Sequence, residues 1–141
     1  MRLAIVLTAL TALLVAAPNA QAAPSGPMGM IHLKSKHNYP GLIARLNMAV
    51  KTNKMAVVTR ASATVGAKRL GLTIPGNMVV GVFHPRYAVR MLTASVAAGY
   101  GAPIRFYITE ERNGTASLSY RKPSALFAPY TDGGPALKAL A

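Results

Sequence analysis

The chain is 141 residues long, carries 16 Lys and Arg against 3 Asp and Glu for a net charge of +13, and has neither Cys nor Trp. That length suits one domain, and the missing thiols exclude a disulfide framework, a thiolate zinc centre, an iron–sulfur cluster and a cysteine nucleophile. So few carboxylates argue against a carboxylate-rich calcium or magnesium site and against a paired-carboxylate hydrolase.

In chain order, Arg2 precedes an apolar run from Leu3 to Ala17, which Pro18 and Asn19 end, and Ala20-Gln21-Ala22 supplies the small-x-small pattern of a signal-peptidase site. Residues 1–22 therefore read as a secretory signal cleaved after Ala22, directing the mature chain to the periplasm or outside the cell. The run is short for a bilayer span of about 20 residues. No second run of that length follows, so no transmembrane segment is expected after cleavage. Residues 23–29 read as a flexible leader, 30–130 as a single domain and 131–141 as a C-terminal tail. The basic residues are scattered, with no run longer than two. A nucleic-acid binder carries a similar net charge, but an exported protein meets little nucleic acid, so none is expected as a partner. Weak binding to an anionic lipid or cell-wall surface fits better, and a plainly soluble face better still.

Met30, His32, Lys34 and Lys36 alternate with Ile31, Leu33 and Ser35, the period of a strand. Asn38 and Pro40 mark a helix entry, and Leu42, Ile43, Leu46, Ala49 and Val50 trace one helical face as far as Lys51–Lys54. Met55 to Thr59 reads as a strand. Ser62 or Thr64 caps a short helix through Leu70, which Gly71 stops. Met78 to Phe83 is nearly all apolar, which predicts a strand covered on both faces, by helices or by a partner subunit. Tyr87 to Ala98 reads as a second long helix burying Tyr87, Met91, Leu92, Ser95 and Val96. Ile104–Thr109 and Ala116–Tyr120 alternate around Asn113-Gly114, a hairpin signal in which both turn residues take positive φ. A short apolar helix or turn over Ser124–Tyr130 follows.

The stretch Gly66-Ala67-Lys68-Arg69-Leu70-Gly71-Leu72-Thr73-Ile74-Pro75-Gly76-Asn77, then Val80-Gly81-Val82-Phe83 and Tyr87-Ala88-Val89-Arg90-Met91-Leu92, resembles the domain of unknown function 302 family. Ala102-Pro103-Ile104-Arg105-Phe106-Tyr107, Gly114-Thr115-Ala116, Leu118-Ser119-Tyr120 and Pro123-Ser124-Ala125 continue the resemblance. It implies an α+β fold, a curved antiparallel sheet with packed helices like that of the TATA-box-binding protein, in the order β-α-β-β-α-β-β. It also implies a homodimer; it brings no established activity, and the fold name implies no DNA binding. Many members carry an Asp-His pair where this chain has Ser62-Ala63, and Phe-Gly-Asn-Pro where it has Phe83-His84-Pro85.

The remaining candidates for chemistry are few. A serine triad needs a base oriented by an acid, and the only acids are Glu110, Glu111 and Asp132, so no catalytic constellation is recognised and no cofactor is expected. Met28, Met30 and His32 share one strand face, and thioether plus imidazole suits Cu(I). The alternative, which we prefer, is that Met28 belongs to the leader while Met30 and His32 merely cover an edge strand. His84, Arg86, Tyr87 and Arg90 cluster where a strand becomes a helix, and with Arg105 and Tyr107 they form a candidate cationic, aromatic pocket for a small acidic ligand. The sequence thus points to a periplasmic, non-enzymatic ligand-binding or accessory module. The alternatives are a copper-handling protein and a basic protein held at a membrane or cell-wall surface.

Overall fold

The structure, a computed structural model, describes residues 29–141. The expected signal, Met28 and all of the expected leader but Gly29 lie outside the described residues. The elements are β1 (Met30–Lys34), α1 (Tyr39–Thr52), β2 (Ala56–Ala61), α2 (Ala63–Arg69), β3 (Asn77–Phe83), α3 (Pro85–Ala94), β4 (Ile104–Glu110), β5 (Ala116–Arg121), α4 (Pro123–Phe127) and α5 (Gly134–Lys138). Short 3-10 turns cover Ala97–Gly101 and Thr131–Gly133. The strands form one five-stranded sheet in the order β1-β5-β4-β3-β2, with every pair antiparallel. The architecture is α+β, as the family resemblance implied.

Helix α1 forms where the spacing predicts. Asn38 caps it, its Oδ1 accepting the Gly41 N–H at 2.9 Å. Leu42, Leu46 and Val50 are buried against Val80, Val82, Ile108 and Ala116 on one face of the sheet. Gly76 is fixed by close approach, because a Cβ there would stand 2.5 Å from the Tyr39 ring.

Helix α2 buries none of its residues and is held instead by polar hooks. Ser62 Oγ accepts the Val65 N–H and donates to the Asn77 carbonyl. Thr64 Oγ1 accepts the Asn77 N–H at 2.7 Å. Gly71, at φ 74°, lets its own N–H reach the Lys68 carbonyl and that of Leu72 reach Ala67, a Schellman ending.

Four expectations are corrected. Within the chain, α1 covers β3 on its Val80 and Val82 side, whereas on the other face Ala56, Thr59, Ala61, Arg105 and Tyr107 of the flanking strands are exposed, so the chain's own helices do not cover both faces. Helix α3 begins at Pro85 and ends at Ala94, and of the expected stripe only Met91 and Ser95 are buried, while Tyr87, Leu92 and Val96 are exposed. The cause is Ser95, which turns extended; its Oγ donates to Asp132 Oδ1 at 2.8 Å and accepts the Ala98 N–H, pulling the chain off the helical path. At the hairpin, Gly114 has φ 80° but Asn113 is not among the positive-φ residues. Gly114 N–H donates to the Glu111 carbonyl and Glu111 N–H to Thr115, the three-residue loop of a type I turn plus a glycine bulge rather than a two-residue turn. The expected tail, finally, is folded. Leu137 of α5 is buried with Met91, Ala98 and Phe127 in a second core beyond the end of the sheet.

Candidate functional site

A cavity of about 180 Å3 opens between the end of β3 and α3. Val82 and Ile104 of the sheet, Met91 and Ala88 of α3, Phe127 of α4 and Leu140 line it, with Met55, His84 and Tyr87 among the remaining lining residues. His84 is set there by local chemistry. As the residue before Pro85 it is driven to extended backbone, φ −144° and ψ 123°. As the cap of α3 its Nδ1 accepts the Arg86 N–H at 3.1 Å. That bond leaves the ring proton on Nε2, so the imidazole brings a donor to an otherwise apolar space. The Tyr87 ring meets it edge-on, at a centroid distance of 5.2 Å and 66°.

A second concavity, a groove of about 310 Å3, lies on the sheet face opposite α1. Arg105, Tyr107, Ser119 and Arg121 line it together with Met30, Val79 and Leu126. Ser119 Oγ and His32 Nδ1 are hydrogen-bonded at 2.9 Å, and Asn77 Nδ2 donates to the Tyr107 hydroxyl.

The model of the family described as "Domain of unknown function DUF302" matches residues 31–141. The chain belongs to the DUF302 family. The crystal structure of an uncharacterized conserved DUF302 protein from Bacillus stearothermophilus superposes with a TM-score of 0.69 at 25% identity, covering 80% of this chain and 87% of that one. Among curated proteins, the fluoride-specific ion channel FluC 1 of Brucella suis biovar 1 is 26% identical over 98 residues, 70% of this chain and 39% of the channel. FluC 2 of Brucella melitensis biotype 1 matches at the same identity over 36% of its length. The chain thus spans less than two-fifths of the curated relatives it matches.

The DUF302 fold divides the six residues expected in one pocket. His84 and Tyr87 line the cavity, whereas Arg105 and Tyr107 line the groove, and the two share only Ile104 among their lining residues. Arg86 and Arg90 are exposed on α3 and line neither. Met30 and His32 share one face, as alternation predicts, opposite Arg121 and Ser119 respectively. The described residues contain no group of three or more His, Cys, Asp or Glu suited to a metal ion. Sequence reading missed Met55, Phe127 and Leu140, which reach the cavity from separate parts of the chain without a shared period. It also missed Arg121 and Ser119, because Ser119 stands beside Tyr107 only in the register of the three-residue loop; a two-residue Asn113-Gly114 turn would set Tyr120 there instead.

Proposed function

We propose that this DUF302 chain is an exported, non-enzymatic binding module that takes a small, largely apolar molecule with one hydrogen-bond acceptor into the cavity beside α3. The observation that carries this reading is the pairing of an apolar space of about 180 Å3 with one imidazole whose Nδ1 is already occupied. An aliphatic cavity of ~150 Å3 stays dry and accepts benzene, so a single ring with one carbonyl is the right scale. The His84 Nε2–H then selects an acceptor on that ring. Export rests on the signal-like pattern of residues 1–22.

The relatives support an accessory role. A chain crosses a bilayer only as helices or as a closed barrel. No helix among the described residues is long and apolar enough to span one, and the sheet is open at β1 and β2. We infer that the segment shared with the Brucella channels is an attached module rather than their ion-conducting part.

Acetophenone, one ring and one acceptor, is the test ligand. At a hundredfold excess over Kd a ligand adds about 2.7 kcal/mol of stability, near 10 °C in Tm for a chain of this size. Ala88→Leu fills the cavity from a helical position that tolerates leucine. It is expected to keep or raise the Tm and to abolish the acetophenone shift. An equal shift in the variant would place the ligand elsewhere.

A further inference from the structure

We propose that the turn between α2 and β3 is a docking surface for a bilayer of anionic phospholipid. Helix α2 has no buried residue and hangs from β3 through the Ser62 and Thr64 hydroxyls. Thr64 and Ala67 are half-buried, three residues apart on the side toward β3, so Val65 and Arg69, four apart, point away from it. From Lys68 to Pro75 every residue is exposed. Leu70 is 77% and Leu72 59% exposed, and Val65 and Ile74 are exposed with them. A Cβ at Gly66 or Gly71 would meet only open space. Contiguous apolar exposure of this kind marks a surface that another body covers.

Charge decides what that body is. Lys68 and Arg69 directly precede the two leucines, and the sequence has no Asp or Glu before Glu110. Of the carboxylates at this end of the sheet, Glu110 Oε2 accepts the Gly76 N–H at the base of the turn, and Glu111 shares a hollow with Lys34 and Arg112. A second copy would bring the same cations face to face, with three carboxylates in the whole chain to answer them. An anionic bilayer suits both halves of the turn. Leu70, Leu72 and Ile74 leave water at the boundary of headgroups and acyl chains, while the long stems of Lys68 and Arg69 keep their charges level with the phosphates. The turn stands before the first residue of β3 and the His84 cavity beyond its last, about 20 Å away along seven residues. A protein held by this turn keeps its cavity at the end of the sheet away from the lipid, and the two sites are independent.

The chain has no cysteine, so Leu72→Cys or Val89→Cys carries a single polarity-sensitive NBD label. Both positions are exposed, and Val89 lies on α3 at the other end of the sheet. With mixed phosphatidylglycerol and phosphatidylcholine vesicles at low ionic strength, the label at position 72 is expected to brighten and shift to the blue. The label at position 89 is expected to stay unchanged, and pure phosphatidylcholine to bind at least about tenfold more weakly. In the labelled Leu72→Cys chain, Lys68→Gln with Arg69→Gln is expected to raise the lipid concentration for half the change about tenfold or more. Leu70→Ser, at an exposed position that leaves the fold intact, is expected to do the same by about tenfold. Arg90→Gln with Lys138→Gln removes the same charge at the far end and should stay within about twofold. The apolar run Leu3–Ala17 is present in every variant, so differences among them report the turn. No response at position 72, an equal one at position 89, equal binding to phosphatidylcholine, or equal loss in the charge-matched control overturns the proposal. So does a change at position 72 that grows with protein concentration in the absence of lipid, which assigns the turn to a second copy.

Discussion

His84 is assigned two purposes by the proposed function: Nδ1 closes the first turn of α3, and Nε2 is the nitrogen left to donate to a ligand in the cavity that His84 lines. These roles separate by substitution. His84→Phe keeps a ring but loses the cap and is expected to cost about 1 kcal/mol in urea unfolding. His84→Asp restores the cap acceptor and should recover most of that stability, while neither variant prefers acetophenone to toluene. If Asp and Phe destabilise alike, the histidine contributes by packing and not by capping. Gly76 makes a comparable case for the core. Gly76→Ala presses a methyl into the Tyr39 ring and should cost about 1–3 kcal/mol.

At the scale of elements, α5 decides whether the last residues are an appendage. Leu137 is 2% exposed against Met91, Ala98 and Phe127, so Leu137→Ala should cost about 2–5 kcal/mol. A true tail would show a change within about 0.5 kcal/mol. Elements whose causes are local were legible in the sequence. Asn38, the Leu42–Leu46–Val50 spacing, Ser62 and Gly71 each act on neighbours within a few residues, and α1 and α2 stand where they predict. The end of α3 was not legible, because Ser95 is turned by Asp132, thirty-seven residues away. The packing of α5 was hidden for the same reason: its partners come from α3, α4 and the turn at Ala98. The hairpin was readable as a turn, but its type depends on where the flanking strands stop pairing, which Asn113-Gly114 alone does not set.

For the whole molecule, charge and topology act together. With 16 basic against 3 acidic residues, two copies approach against mutual repulsion, whereas an anionic surface attracts each copy. A homodimer of the kind the family resemblance implies should therefore strengthen as salt rises from about 20 to 200 mM, while adsorption to anionic vesicles weakens. Sedimentation at the two salt concentrations checks the first trend and vesicle flotation the second. A dimer that dissociates with salt would require acid–base pairing across its interface. Topology also explains why the candidate site was only half read from sequence. Residues expected to converge, His84 with Arg105, are separated by the sheet, because Arg105 pairs with Gly81 on the face away from Val82.

Methionine methyl groups report the cavity and the groove in one experiment. Met55 and Met91 line the cavity, Met30 lines the groove, and Met48 is 69% exposed on α1. In 13C-methyl methionine NMR spectra, acetophenone is predicted to shift Met55 and Met91 in a saturable manner while Met30 and Met48 stay in place. Saturable shifts confined to Met30, or none at Met55 and Met91, would contradict a ligand-binding cavity beside α3.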